Sequence, residues 1–207
     1  MKGVTAMLNK PVVAYNALSE VHCQDTIDFC LNHAETQIGK IGGRRDSVSG
    51  KIDLNIRNVE VYAPPPDMGQ YEMSRYGLHI DNFFGPVFDA NARFFNFEID
   101  GPPEFHVLKY EVGCHYKNHS DVGNYGEEKM NLDTRKLSFS IFLNDDYEGG
   151  DLVFTAIPSE NYMEPGTRFK AGDMVVFPSY LYHEVEPVTS GVRWTAVGWI
   201  HGEKPFK

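Results

Sequence analysis

A chain of 207 residues, 42 % of them hydrophobic, suits one domain with a sizeable core. Its 29 acidic and 19 basic side chains leave a net charge of −10, which repels phosphate backbones, disfavours nucleic acid and tolerates a basic polypeptide. No run of about 18 apolar residues marks a membrane span, and Met1 to Asn9 lacks the apolar core of a secretory leader.

Residues 19–37 read as an amphipathic helix, with Ser19 as N-cap, Ile27, Cys30, Leu31 and Ala34 on one stripe, and Gly39 as the stop. Gly42-Gly43-Arg44-Arg45 reads as a turn, since it lacks the lysine and hydroxyl residue of a phosphate cradle. Ile52, Leu54 and Ile56 alternate as in a strand, and Val59 and Val61 shift the phase, so a break is expected near Arg57-Asn58. Pro64-Pro65-Pro66 ends regular structure, residues 67–76 read as a loop, and a second helix is expected over 76–91. From Arg93 onward short β-rich segments recur between Gly, Pro, Asn and Asp. The organisation expected is a single domain over 1–207, with helical and strand support in 1–92 and a β core in 93–202. Cys23, Cys30 and Cys114 are too few and too odd in number for a disulfide framework, which suits a reducing cytoplasm.

His119 and Asp121 form a His-x-Asp pair, and in a strand positions i and i+2 point the same way. His183, far along the chain, supplies a second imidazole. Two histidines and one carboxylate on one face of a metal leave the other face open, as a non-haem Fe(II) site requires. In 137–144, Leu137, Phe139, Ile141 and Leu143 share one face, and Ser138, Ser140, Phe142 and Asn144 share the other. Arg193, Thr195, Val197 and Trp199 share a face of the last strand. An arginine pointing away from bulk water needs an anion, and a dicarboxylate fits its planar fork.

One ordered series carries a resemblance. It runs Phe94-Phe95-Asn96-Phe97, Tyr110-x-x-Gly113-x-x-Tyr116-x-x-His119-x-Asp121, Leu137 to Asn144, Tyr147-Glu148-Gly149-Gly150-Asp151-Leu152, Gly172-Asp173, Phe177-Pro178-Ser179, His183, Pro187-Val188, Gly191, Arg193 and Trp199. It resembles the 2-oxoglutarate- and Fe(II)-dependent dioxygenases of the prolyl 4-hydroxylase-like branch, over about half the chain, Ala92 to Gly202. The resemblance implies a mainly β fold with flanking helices, a distorted double-stranded β-helix or jelly roll. It implies that His119, Asp121 and His183 hold Fe(II), that Arg193 pairs with the distal carboxylate of 2-oxoglutarate, and that Tyr110 helps bind this co-substrate. Phe142 stands where some relatives carry a tyrosine, and it has no hydroxyl to donate.

The activity implied consumes O2 and 2-oxoglutarate, releases succinate and CO2, and hydroxylates a prolyl residue in a peptide or protein. The other classes are hydroxylation of another residue or of a free small molecule, and a non-catalytic metal-binding module. Val122–Thr134, which follows the metal pair directly, reads as a lid over a polypeptide substrate. His79-Ile80-Asp81 repeats the His-x-Asp spacing without the surrounding tyrosine and glycine pattern, so it reads as a decoy. His115 and His119 are four apart but lack the glutamate of a zinc-protease helix.

Overall fold

The computed structural model describes residues 12–14, 16–41, 51–100, 103–122, 134–158, 161–162, 168–204 and 206. The expected Gly42–Arg45 turn, Met1 to Asn9 and nearly all of the expected lid lie outside the described residues.

Helix α1 spans Glu20–His33, and the Ser19 hydroxyl accepts the His22 N–H at 3.2 Å. The buried face is Cys23, Thr26, Ile27, Phe29 and Cys30, whereas Leu31 points outward at 58 % exposure. The helix ends before residue 37. The backbone turns extended at Ala34, and Glu35–Ile38 becomes strand β2 by pairing with β4, Glu60–Ala63. Non-local pairing outweighs local propensity here.

The alternating Ile52, Leu54 and Ile56 do not form a strand and remain 37–49 % exposed. The Asp53 carboxylate accepts the Asn55 N–H at 3.1 Å, and the Asp53 carbonyl accepts the Ile56 N–H at 3.0 Å. This local turn offers the backbone an alternative to a ladder. The expected break does occur: β3, Arg57–Asn58, and β4 belong to different sheets.

A short helix α2, Gln70–Arg75, stands where a loop is expected. The next helix starts late, as α3, Asp81–Ala90, because Gly77 takes a left-handed φ of 95° that breaks the path. It continues into a π-helical turn at Asn91–Phe95, so the β-rich part begins at Glu104 rather than Arg93.

The remaining strands are β1, Val12–Ala14; β5, Glu104–Tyr110; β6, His115–His119; β7, Arg135–Phe142; β8, Glu148–Gly149; β9, Leu152–Phe154; β10, Met174–Pro178; β11, His183–Val185; β12, Val188–Ser190; and β13, Arg193–His201. The major sheet runs β1-β10-β7-β13-β5-β4-β2 and the minor sheet β3-β6-β11-β9, and neighbouring strands in both pair antiparallel. This is a jelly roll of the double-stranded β-helix kind, flanked by helices. Strands β1, β2 and β4 place the early part of the chain in the same sheet as β13.

The two faces of β7 are both covered. Leu137, Phe139 and Ile141 pack against α1 and α3 in one core, where Phe84 meets Phe139 edge-on at 5.7 Å. Burial of a phenylalanine of this kind contributes roughly 1.5–3 kcal/mol. Phe142 belongs to a second core with Val61, Leu108, Phe154, Val175 and Phe177. The chemistry-bearing cleft opens beside this second core.

Candidate metal centre

Strand β6 ends on His119 and β11 begins on His183, and the two are register partners, with ring centroids 4.3 Å apart. Asp121 lies in a bend just past β6, not within the strand, yet its carboxylate still joins both imidazoles. His119 Nε2 is 3.7 Å from Asp121 Oδ1, and His183 Nε2 is 3.8 Å from Asp121 Oδ2. One ligand atom from each of the three lies within 4.8 Å of the others, so the group can hold a metal ion.

The tautomers follow from the backbone. His119 Nδ1 is 2.9 Å from the Lys117 carbonyl, and His183 Nδ1 is 2.9 Å from the Leu181 carbonyl. A carbonyl only accepts, so each Nδ1 carries the hydrogen and each Nε2 turns a lone pair towards the cluster. Burial, reinforced by His183, pulls His119 down to about 3, which keeps its imidazole neutral. Burial pushes the Asp121 carboxyl up, but His183, His119, Arg135 and the Ser138 hydrogen bond outweigh it and hold the group below the usual carboxylate range.

A solvent-open cleft of about 470 Å³ adjoins the cluster. Arg193, Thr195, Val197 and Trp199 all line it, as the alternation along β13 predicts. Arg193 is 1 % exposed, and among the described residues its Nε and Nη1 have no hydrogen-bond partner. The guanidinium lies 5.1 Å from both the Tyr110 and Phe142 rings. An unpaired buried guanidinium beside an open cleft is a site for an anion. Gly150, at φ +65°, keeps room for the arginine stem, since a Cβ there would stand 3.0 Å from Arg193 Cδ. Tyr110 also lines the cleft, and burial raises its phenol so that it stays a neutral donor. Phe142 stacks on Phe169 at 4.4 Å and offers no donor.

Tyr116 stacks on the His119 ring at 3.6 Å, with Arg57 4.7 Å from the tyrosine centroid. The structure leaves His79-Ile80-Asp81 out of the site: His79 is exposed between α2 and α3, 3.5 Å from the Ser74 hydroxyl. His115 is spent on the Gly113 and Asn55 carbonyls.

Three contributors have no separate role in the sequence reading. Ser138 donates to Asp121 Oδ2 at 2.6 Å; its place on the polar face of β7 is the signal that points to it. Arg135 lies 4.1 Å over the Trp199 ring, and donates to the Asp121 carbonyl and the Glu104 carboxylate, each at 3.3 Å. Arg57 reaches the cleft from β3. No local pattern flags either arginine.

The 2OG-Fe(II) oxygenase superfamily model matches residues 105–201. A PKHD-type hydroxylase of Herminiimonas arsenicoxydans is 34 % identical over 161 residues, covering 75 % of this chain and 68 % of that relative. The chain belongs to the 2OG-Fe(II) oxygenase superfamily. A PKHD-type hydroxylase of Thermosynechococcus vestitus is 41 % identical over 105 residues, which are 50 % of this chain and 44 % of the relative, so that match spans less than half the relative's length. The fold is shared with a prolyl hydroxylase of Trichoplax adhaerens, solved with a hypoxia inducible factor peptide fragment. The TM-score is 0.65 at 21 % identity, over 97 % of this chain and 88 % of that one.

This superfamily uses Fe(II), 2-oxoglutarate and O2, and the residues present fit them. Two imidazoles and a carboxylate suit a divalent first-row metal with an open face. The orphaned Arg193 nitrogens suit a dicarboxylate.

Proposed function

We propose that this oxygenase hydroxylates a prolyl residue in a peptide or protein, converting 2-oxoglutarate and O2 to succinate and CO2. The observation that carries the reading is the buried Arg193 guanidinium, two of whose nitrogens have no partner among the described residues, in the same cleft as the His119, Asp121 and His183 cluster. The PKHD-type relatives and the prolyl hydroxylase fold neighbour support the substrate class.

In this reading His119 Nε2, His183 Nε2 and the Asp121 carboxylate hold Fe(II). Bound Fe(II) supplies the redox chemistry that splits O2 between succinate and the product hydroxyl. Arg193 binds the distal carboxylate of 2-oxoglutarate, and Tyr110 orients the co-substrate by a hydroxyl bond. Phe142 and Phe169 present an apolar wall in place of a second phenol, which excludes water from the arginine. Trp199, held under Arg135, walls the side on which a prolyl ring would enter. The net charge of −10 favours a basic target polypeptide. The free Cys23, Cys30 and Cys114 agree with a cytoplasmic location, and among the described residues no helix is long and apolar enough to cross a membrane.

Succinate formation is measured with proline-containing peptides and with matched peptides lacking proline. The reading predicts stimulation, and a hydroxylated proline by mass spectrometry, with the first set alone. Equal stimulation by both sets contradicts the prolyl assignment.

A further inference from the structure

We propose that Ser138, backed by Ser179, is a positioning residue for the Asp121 carboxylate, tying one oxygen to a hydroxyl so that the other is offered to the metal. The inference rests on the reading of His119, Asp121 and His183 as the metal's ligands.

Ser138 sits on the inter-sheet face of β7, 1 % exposed, with its Oγ 2.6 Å from Asp121 Oδ2. Ser179 directly follows β10, is fully buried, and places its Oγ 3.0 Å from Ser138 Oγ. A hydroxyl has one hydrogen. Ser138 Oγ is oriented as donor to both Asp121 Oδ2 and Ser179 Oγ, and its one hydrogen goes to the shorter, charged contact with the carboxylate.

Ser179 also fixes the backbone, because the Asp121 N–H donates to the Ser179 carbonyl at 2.9 Å. The β10–β7 ladder, with Phe177 opposite Ser138 and Pro178 opposite Leu137, brings Ser179 alongside. Asp121 stands in a bend past the end of β6, so no ladder of its own strand orders it. Two neighbouring strands of the major sheet supply that order instead. With Oδ2 engaged at 2.6 Å, Oδ1 remains for the metal. Coordination through one oxygen keeps open a position that a two-oxygen clasp would fill, and an oxygenase needs that position.

The test uses Mn(II) as a redox-silent probe. It is titrated into the parent, Ser138→Ala, Ser138→Thr, Ser138→Cys and His119→Ala proteins, with free Mn(II) read by its EPR signal. The expected result is that Ser138→Ala weakens Mn(II) by about tenfold to a hundredfold while Ser138→Thr, which keeps the hydroxyl, stays within about threefold of the parent. At saturating Mn(II), 2-oxoglutarate affinity stays unchanged in Ser138→Ala, because Arg193 is untouched. The inference is overturned if Ser138→Ala loses less than about threefold, or if Ser138→Thr is as weak as Ser138→Ala. Should Ser138→Ala not fold, Ser138→Cys decides by the same threshold, since it keeps the side-chain size and replaces the hydroxyl by a weak donor. His119→Ala separates the two readings: parent-like affinity in that variant means the ligand assignment itself has failed.

Discussion

Tyr110 and Arg193 are register partners across the β5–β13 ladder, and the guanidinium lies 5.1 Å from the phenol ring. Two strands thus deliver a cation and a hydroxyl donor to one wall of the cleft, and among the described residues two of the guanidinium nitrogens have no hydrogen-bond partner. Arg193→Ala is expected to weaken 2-oxoglutarate by about tenfold to a hundredfold or more, from a charge-assisted contribution of roughly 1.5–3 kcal/mol. Tyr110→Phe shifts it less, in the same direction. Calorimetric titration at saturating Mn(II) checks both, and unchanged affinity in Arg193→Ala assigns the arginine another role.

His119→Ala, Asp121→Ala and His183→Ala are each expected to abolish Fe(II)-dependent succinate formation, because the cluster among the described residues holds three ligand groups. Near-parent turnover in any one of them removes that residue from the site. Zn(II) should compete for the same three residues and support no hydroxylation.

The period-two pattern made β7 and β13 readable. One face of each had to be apolar or small, and the opposite face had to carry Ser138 and Ser140, or Arg193 and Trp199. His183 was legible for a similar reason, since it opens a strand and stands opposite His119. Other features depend on contacts that local pattern does not encode. Arg57 and Arg135 reach the site through pairing with distant strands, and α1 stops at His33 because the next residues pair with β4. Ile52, Leu54 and Ile56 mislead because the Asp53 side chain captures the turn. Asp121 joins the His119 and His183 side chains from a bend, so the juxtaposition that the i, i+2 spacing pointed to arises through a different geometry.

Gly172 takes φ +88°, and a Cβ there would run into the Leu18 carbonyl. Leu18 N–H in turn donates to the Gly172 carbonyl at 3.1 Å, which ties the entry to α1 onto the turn that leads into β10. Gly172→Ala is therefore expected to cost at least about 1–3 kcal/mol from backbone strain alone. Urea unfolding checks it, and a loss below about 0.5 kcal/mol contradicts the tight approach.

Glu104 is held down to about 2, first by the His201 imidazole, whose Nε2 lies 3.5 Å from the carboxylate, and then by Arg135, against the opposing effect of burial. An unfolded glutamate titrates near about 4.3. A depressed folded value means that this group's stabilisation is present above about pH 4.3 and is lost as pH falls towards about 2. Glu104→Gln should lower stability at pH 6 and flatten the decline across that acid window. Parallel pH–stability curves for the two proteins would contradict the assignment.

The most direct test of the account is to incubate the protein with Fe(II), 2-oxoglutarate, a proline-containing polypeptide and ¹⁸O₂, and to read both products by mass spectrometry. The account predicts one labelled oxygen in succinate and one in a new hydroxyl on proline, with neither product formed by His183→Ala. Labelled succinate with no hydroxylated proline in any polypeptide offered would contradict the proposed substrate, and absence of labelled succinate would contradict the chemistry itself.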